Sequence, residues 1–314
     1  MYPRISDLFK DLLGIDLPFP IYSFGFMVAV AILLGAWLTG KELDRLYREG
    51  RLKGIRVPAE DKNRKTRRKR MKEVPPSVIM GNVTIIAALA GVIGAKIFHI
   101  LENLGEFFTD PMGMLFSTGG LTFYGGLIVA GIAVAWYVRK KGLHLWTFAD
   151  AIAPALMLAY GVGRIGCHLA GDGDWGIVAD MSKKPSWVPT WLWAETYPNN
   201  ILGVNIPAPG VYPTPLYEFM LSLLFFGVLW ALRRHPFRAG WLFSLYLIFN
   251  GVERFLIELI RVNNRFDVFG VQVTQAEVIS LMLVIAGSIG LYLTSRRREE
   301  VSEVASPVVA STAS

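Results

Sequence analysis

The sequence predicts an all-α, polytopic membrane protein of about seven transmembrane helices, with its N-terminus outside and its C-terminus in the cytoplasm. Three observations lead there. The chain of 314 residues is 53% hydrophobic and only 18% charged, against about 25% charged residues in a soluble domain. Seven apolar stretches meet or approach the roughly 20 residues that cross a hydrocarbon core. Lys and Arg, finally, are concentrated in alternate connecting segments.

In chain order, residues 1–20 lack the basic start, apolar middle and cleavage site of a signal peptide. Asp7, Leu8, Phe9, Leu12 and Leu13 instead suggest a short amphipathic segment at the interface. The spans are expected at 21–39, 77–100, 121–138, 147–169, 215–232, 240–260 and 275–294, forming one membrane domain over 21–294. Between the first two lies a basic loop, 40–76, with fourteen Lys and Arg, including Arg64-Lys65-Thr66-Arg67-Arg68-Lys69-Arg70. Arg139-Lys140-Lys141, Arg233-Arg234 with Arg238, and Arg296-Arg297-Arg298 follow. The intervening segments 1–20, 101–120, 170–214 and 261–274 hold 6 basic residues against 23 in these four. The positive-inside rule puts the rich segments in the cytoplasm, and an odd number of crossings then separates the two termini. The aromatic-rich loop 170–214 faces outward on this reading; its Trp187, Trp191, Trp193 and Tyr197 suit either an interfacial belt or a lid. Residues 295–314 read as a disordered cytoplasmic tail.

The net charge of +7 belongs to topology and to anionic lipid heads, so no nucleic-acid partner is expected. Cys167 is the single cysteine, which excludes an intrachain disulfide. Four scattered histidines without Cys or acidic partners at ligand spacing make no metal site.

Ionisable groups inside a bilayer cost about 2.5–3.5 kcal/mol each at a helix centre, so their depth is informative. Lys96, His99 and Glu102 end the second span, and Tyr124-Gly125-Gly126 opens the third. The fourth closes on Gly161-Val162-Gly163-Arg164-Ile165-Gly166-Cys167-His168. Tyr217 and Glu218 begin the fifth, while Asn250, Glu253, Arg254, Glu258 and Arg261 occupy the far half of the sixth. All fall in the outer half of the membrane; Asp150 alone lies at the inner end, where a helix N-terminus accounts for it. Arg254, Glu258 and Arg261, at i, i+4 and i+7, share one face. Glycines beside a buried arginine allow close approach of helices, or of a ligand to backbone N–H groups, and suit an anion such as phosphate. Asp172 and Asp174 lack the bidentate glutamate of a calcium loop.

These residues resemble the prolipoprotein diacylglyceryl transferase family, through Tyr124-Gly125-Gly126-Leu127, Gly163-Arg164-Ile165-Gly166, Pro215-Leu216-Tyr217-Glu218 and Gly251-Val252-Glu253-Arg254-Phe255-Leu256-Ile257-Glu258-Leu259-Ile260-Arg261. Order and spacing agree from about residue 20 to 294. The chain departs from the family pattern at Tyr124, usually histidine, at Cys167, usually asparagine, and at Gly171-Asp172, usually Gly-Glu. Asn250 and Phe24 stand where tyrosines are usual, and the segments around 50–72 and 181–203 are insertions.

The resemblance implies a bacterial plasma-membrane enzyme with its active site toward the outer leaflet. It would move the diacylglyceryl group of phosphatidylglycerol to the cysteine thiol of a lipoprotein precursor, releasing glycerol phosphate, without cofactor or metal. Arg164 and Arg254 would stabilise the departing phosphate, since arginine stays charged and grips two oxygens. Tyr124 would be the base that a thiol of pKa near 8.5 needs, with His168 the alternative. Gly125, Gly126, Gly166, Asp172 and Asn250 would line the substrate site with Lys96, Glu258 and Arg261, Glu258 and Asp172 orienting arginines. Two other classes fit less of the pattern: a small-anion transporter, which needs polarity in the inner half too, and a noncatalytic lipid-binding scaffold.

Overall fold

The computed structural model describes every residue except Leu17, 59–70, 118–121, Asn264, 269–270 and 297–314. The basic run 64–70, the start of the expected third span and most of the expected tail therefore lie outside the described residues.

A short helix α1 (Ile5–Leu13) stops at Gly14, whose φ of 67° is the left-handed conformation glycine adopts without strain. Leu12 and Leu13 are exposed, while Phe9 meets Phe26 edge-on at 6.3 Å, which ties α1 to the first long helix. That helix, α2 (Ser23–Arg48), runs past its expected end because Arg45 pairs with Glu42 and, at 2.7 Å, with Glu49. The basic loop then forms an antiparallel hairpin of β1 (Ile55–Pro58) and β2 (Met71–Val74), which the all-α reading did not include. Next come α3 (Met80–Glu102), the short α4 (Leu104–Thr109) and α5 (Pro111–Phe116), then α6 (Phe123–Lys140) and α7 (Leu145–Ala170). After α8 (Thr190–Trp193) follow α9 (Thr214–Leu232) and α10 (Trp241–Glu258). A second hairpin, β3 (Arg265–Val268) with β4 (Val271–Thr274), leads into α11 (Gln275–Thr294).

Among the described residues a helix occupies most of each of the seven expected spans, and the protein is an all-α, multi-span membrane protein. Among the described residues five helical segments are long and apolar enough to cross a bilayer: 23–48, 76–102, 145–170, 214–232 and 275–294. The other two, α6 and α10, have 18 residues each. Arg139 and Lys140 end α6, and α10 carries Glu253, Arg254 and Glu258.

Helix α7 is the axis of the bundle, the most deeply buried of the five long apolar helices. It packs on α2, α9 and α10, while α11 packs on α10 and α3 pairs with α6. At the basic end Leu43, Ile79, Met80, Val83, Val138 and Phe148 form one buried cluster that joins the α3–α6 pair to α2 and α7. Lys41 stands over Trp37 at 3.9 Å, Lys140 over Trp136 at 4.7 Å and Arg233 over Trp230 at 4.2 Å, as amphipathic side chains do where a helix leaves the membrane. Asp150 accepts the amides of Gly240 at 2.7 Å and Phe243 at 2.9 Å. It therefore caps the start of α10 and serves structure, as its depth suggested.

At the opposite end residues 171–213 fold into a cap. Isolated bridges join Val178 and Glu195 to Val211, and Gly176 to Arg261. Trp187 and Trp191 are 83% and 57% exposed, whereas Tyr197 is 1% exposed and Trp193 donates to the Asp180 carbonyl at 3.0 Å. The aromatics thus divide between outward anchors and the body of the cap.

Candidate active site

The last turns of α7 present Tyr160, Arg164 and Cys167 at i, i+4 and i+7. Gly171, at φ 61°, ends the helix by donating to the Cys167 carbonyl. The chain then reverses, so that Asp174 returns over Arg164 and meets the end of α10, where Arg254, Glu258 and Arg261 lie on one face. Helix α9 contributes Glu218.

These side chains form one ionic network around Glu218, which is fully buried. Its carboxylate lies 3.2 Å from Arg164 Nε, 3.5 Å from Arg254 Nη1 and 4.0 Å from Arg261 Nη1. Asp174 bridges Arg164 and Arg261 through its two oxygens. Glu258 pairs with Arg254 Nη2 at 3.1 Å and accepts from Asn263 at 2.7 Å. The Arg164 guanidinium lies over the Tyr160 ring at 5.0 Å. Desolvating three cations costs several kcal/mol each unless they are paired, which accounts for the carboxylates among them. The arginines nevertheless keep 11–20% of their side chains exposed, so an anion can still reach them.

The two aspartates of the turn differ electrostatically. Burial alone would raise the Asp174 carboxyl, but Arg164 and Arg261 outweigh it and hold it below the usual carboxylate range. Asp172 is pushed upward, first by burial and then by the charge of Asp174.

The expected pair Arg164 and Arg254 does converge, on a shared carboxylate, and Arg261 and Glu258 join it. Asp172 does not orient an arginine; its carboxylate accepts the Asp174 amide at 3.3 Å, and Asp174 takes the orienting place because the turn aims it at both guanidiniums. Nor do the three glycines assigned to substrate lie open. A Cβ at Gly125 would stand 2.3 Å from Phe98 Cβ, and one at Gly126 2.8 Å from the Gly91 carbonyl, so both serve the contact of α6 with α3. At Gly166 it would meet Met27 Cβ at 3.0 Å, on α2. Gly163, by contrast, faces open space. Lys96 donates to the Ser117 carbonyl at 2.9 Å, beside α5 rather than among the arginines. Asn250 is half-buried one turn before Arg254, with no side-chain hydrogen bond among the described residues.

Tyr124 sits half-buried in the first turn of α6, its ring against Phe123 at 5.7 Å. No hydrogen bond among the described residues joins it to the network. His168 Nδ1 lies 3.2 Å from the Tyr197 hydroxyl, so it fastens α7 to the cap. Cys167 Sγ is 4.0 Å from Arg164 Nη1. The donor atoms of Cys167, Asp172 and Asp174 gather within 4.8 Å of one another; with both Asp174 oxygens taken by arginines, the group suits ion pairing better than a cation.

Sequence reasoning placed Glu218 and Glu253 at the depth of the arginines but gave neither a role in the site, and it missed Asp174 and Tyr160 as site residues. A signal existed for Glu218, the lone charged side chain in an otherwise apolar α9. Tyr160, four residues before Arg164, carried none, since tyrosines are common at membrane interfaces.

A family model described as prolipoprotein diacylglyceryl transferase matches residues 11–293. Among similar curated proteins is a phosphatidylglycerol–prolipoprotein diacylglyceryl transferase of Corynebacterium glutamicum, 29% identical over 307 residues and covering 93% of this chain and 85% of that protein. The protein of the same name from Corynebacterium efficiens is 30% identical, over 91% of this chain and 82% of its own length. That of Symbiobacterium thermophilum is 28% identical, over 95% and 97% respectively.

Proposed function

The chain belongs to the prolipoprotein diacylglyceryl transferase family, and from that premise we propose that it transfers the diacylglyceryl group of phosphatidylglycerol to the cysteine thiol of a lipoprotein precursor, releasing glycerol phosphate. The observation that carries the reading is the convergence of Arg164, Arg254 and Arg261 on Glu218 at one end of the bundle.

In the reaction a thiolate attacks a glycerol carbon while phosphate departs with growing negative charge. A guanidinium has five N–H donors, and each arginine here engages carboxylates through two of its nitrogens, so donors remain for phosphate oxygens. Glu218, Asp174 and Glu258 hold the three cations in place before the lipid arrives, which lowers the reorganisation needed as charge develops. Arg164 and Arg254 grip the phosphate on this reading, and Arg261 adds positive field. The site lies at the end of the bundle opposite the basic loops, and the charge bias supports reading it as facing the outer leaflet of a bacterial plasma membrane. Helices α6 and α10 would complete seven crossings, with the N-terminus outside.

The test is direct. Purified protein with phosphatidylglycerol and a cysteine-containing precursor peptide should release glycerol phosphate and increase the peptide mass by one diacylglyceryl group. Lipid binding without either product would mean a noncatalytic scaffold.

A further inference from the structure

The network contains one carboxyl that the arginines do not hold. Glu253, on α10, is 1% exposed, and no cation among the described residues lies within ion-pair distance of it. Its Oε1 is 3.3 Å from the Tyr160 hydroxyl, which is also 3.0 Å from Glu218 Oε1. Its other oxygen is buried with no hydrogen-bond partner. One hydroxyl proton thus stands between two carboxyls, and those carboxyls are not equivalent. A proton on Glu218 would weaken three ion pairs at once; a proton on Glu253 weakens none. Beside Tyr160 there is also room, because Gly163, three residues along α7, meets nothing within 4 Å of where a Cβ would stand.

We propose that Tyr160 and Glu253 carry the proton of the incoming thiol, with Tyr160 touching the thiol and Glu253 receiving the proton behind it. The proposal rests on the transfer reading above and assigns its base. The thiol gives its proton to the Tyr160 oxygen as the hydroxyl's own proton passes to Glu253 Oε1. The freed sulfur electron pair forms the S–C bond to the glycerol carbon. That carbon's bond to the phosphate oxygen breaks, and the electron pair leaves with glycerol phosphate, held by Arg164 and Arg254. The proton on Glu253 returns through Tyr160 to the departing phosphate or to water. Tyr124, which no hydrogen bond among the described residues joins to the arginines, and His168, occupied with Tyr197, are not needed for this path.

Glu253 is faced by Tyr160 and Arg164 from α7, by Glu218 from α9, and by Tyr246 and Arg254 from its own helix, so a pH profile has to be compared between variants rather than read alone. The experiment measures glycerol phosphate release by purified enzyme over neutral to alkaline pH, with phosphatidylglycerol and a cysteine-containing precursor peptide. Glu253→Gln, which preserves volume, should lower kcat about 10²-fold, at the lower end of what general-base catalysis contributes. It should leave KM for the lipid unchanged and abolish the acid limb of the wild-type profile. Glu253→Asp should restore part of the rate and the limb, which a packing role would not require. Tyr160→Phe should reproduce the loss, and it decides the matter if Glu253→Gln fails to fold. Wild-type rate and profile in Tyr160→Phe, or in a folded Glu253→Gln, would overturn the relay alone. Loss of the acid limb only in Tyr124→Phe would do the same. A wild-type enzyme that releases no glycerol phosphate would overturn the transfer reading and the relay with it.

Discussion

Arg164 reaches Glu218 through Nε and Asp174 through Nη1, so its guanidinium plane is set from two directions. Arg254 is set likewise by Glu218 and Glu258. Charge-assisted hydrogen bonds contribute about 1.5–3 kcal/mol, so Arg164→Ala or Arg254→Ala should reduce turnover at least about tenfold. Lysine at either position should restore only part of it, because a point charge cannot copy the two-pronged grip. Full activity in a folded Arg164→Ala enzyme would remove that residue from the site. The aspartates of the turn allow a sharper comparison. A carboxyl held below its unfolded pKa, as Asp174 is, contributes stability that is complete above the unfolded value of about 3.9 and lost as pH falls through the folded one. For Asp172 the sign reverses: its contribution is complete below the unfolded value and lost as pH rises through the raised folded one. Asp174→Asn should therefore lower the melting temperature of the purified protein at neutral pH, with the difference closing in strong acid. Asp172→Asn should leave it equal or higher at neutral pH. Equal losses from both would contradict the assignment of Asp174 as the paired member. Linear reading selected Asp172 because it follows glycine as the family's glutamate does; the direction in which each carboxylate leaves the turn is not in the spacing.

Apolar runs located the helices well, since crossing a bilayer demands a long continuous stretch whatever its partners are. What the runs could not show is which helix each glycine faces. A Cβ at Gly94 of α3 would lie 2.5 Å from the Gly125 carbonyl and 2.5 Å from Val129 Cβ of α6, so this pair is held by backbone-to-backbone contact. Gly94→Val or Gly125→Val should cost about 1–3 kcal/mol through overpacking, read as a lower melting temperature in detergent. Gly81→Ala, on the same α3 but facing open space, is the control and should melt as wild type does. A fully stable Gly125→Val protein would mean that α6 does not approach α3 this closely. The two β-hairpins escaped the reading for a related reason: four-residue strands in polar connections have no hydrophobic run to announce them.

For the whole molecule, the decisive quantity is the 23-to-6 imbalance of basic residues between alternate segments. By the positive-inside rule we propose that the β1–β2 hairpin faces the cytoplasm and the aromatic cap faces outward. In a Cys167→Ala background, a cysteine replacing exposed Trp187 should react with a membrane-impermeant reagent in intact cells. A cysteine replacing Lys72 should react only after lysis. Labelling of position 72 in intact cells would invert the topology and put the arginine network on the cytoplasmic side. The cap matters to function in this arrangement, because it delivers Asp174 to Arg164 and Arg261 while His168 and Tyr197 fasten it to the end of α7.

The sequence by itself determined the helical membrane class, the family and the presence of essential-looking arginines at one depth, because hydropathy, charge bias and motif order are all linear properties of the chain. The tertiary structure decided which carboxylate each arginine holds, which glycines pack helices and which one stays open, and that Tyr160 joins Glu218 to Glu253. Those outcomes depend on how α7, α9 and α10 are rotated and crossed against one another. Residues 160, 218 and 253 meet within hydrogen-bond distance only after that packing, and nothing in their separation along the chain encodes it.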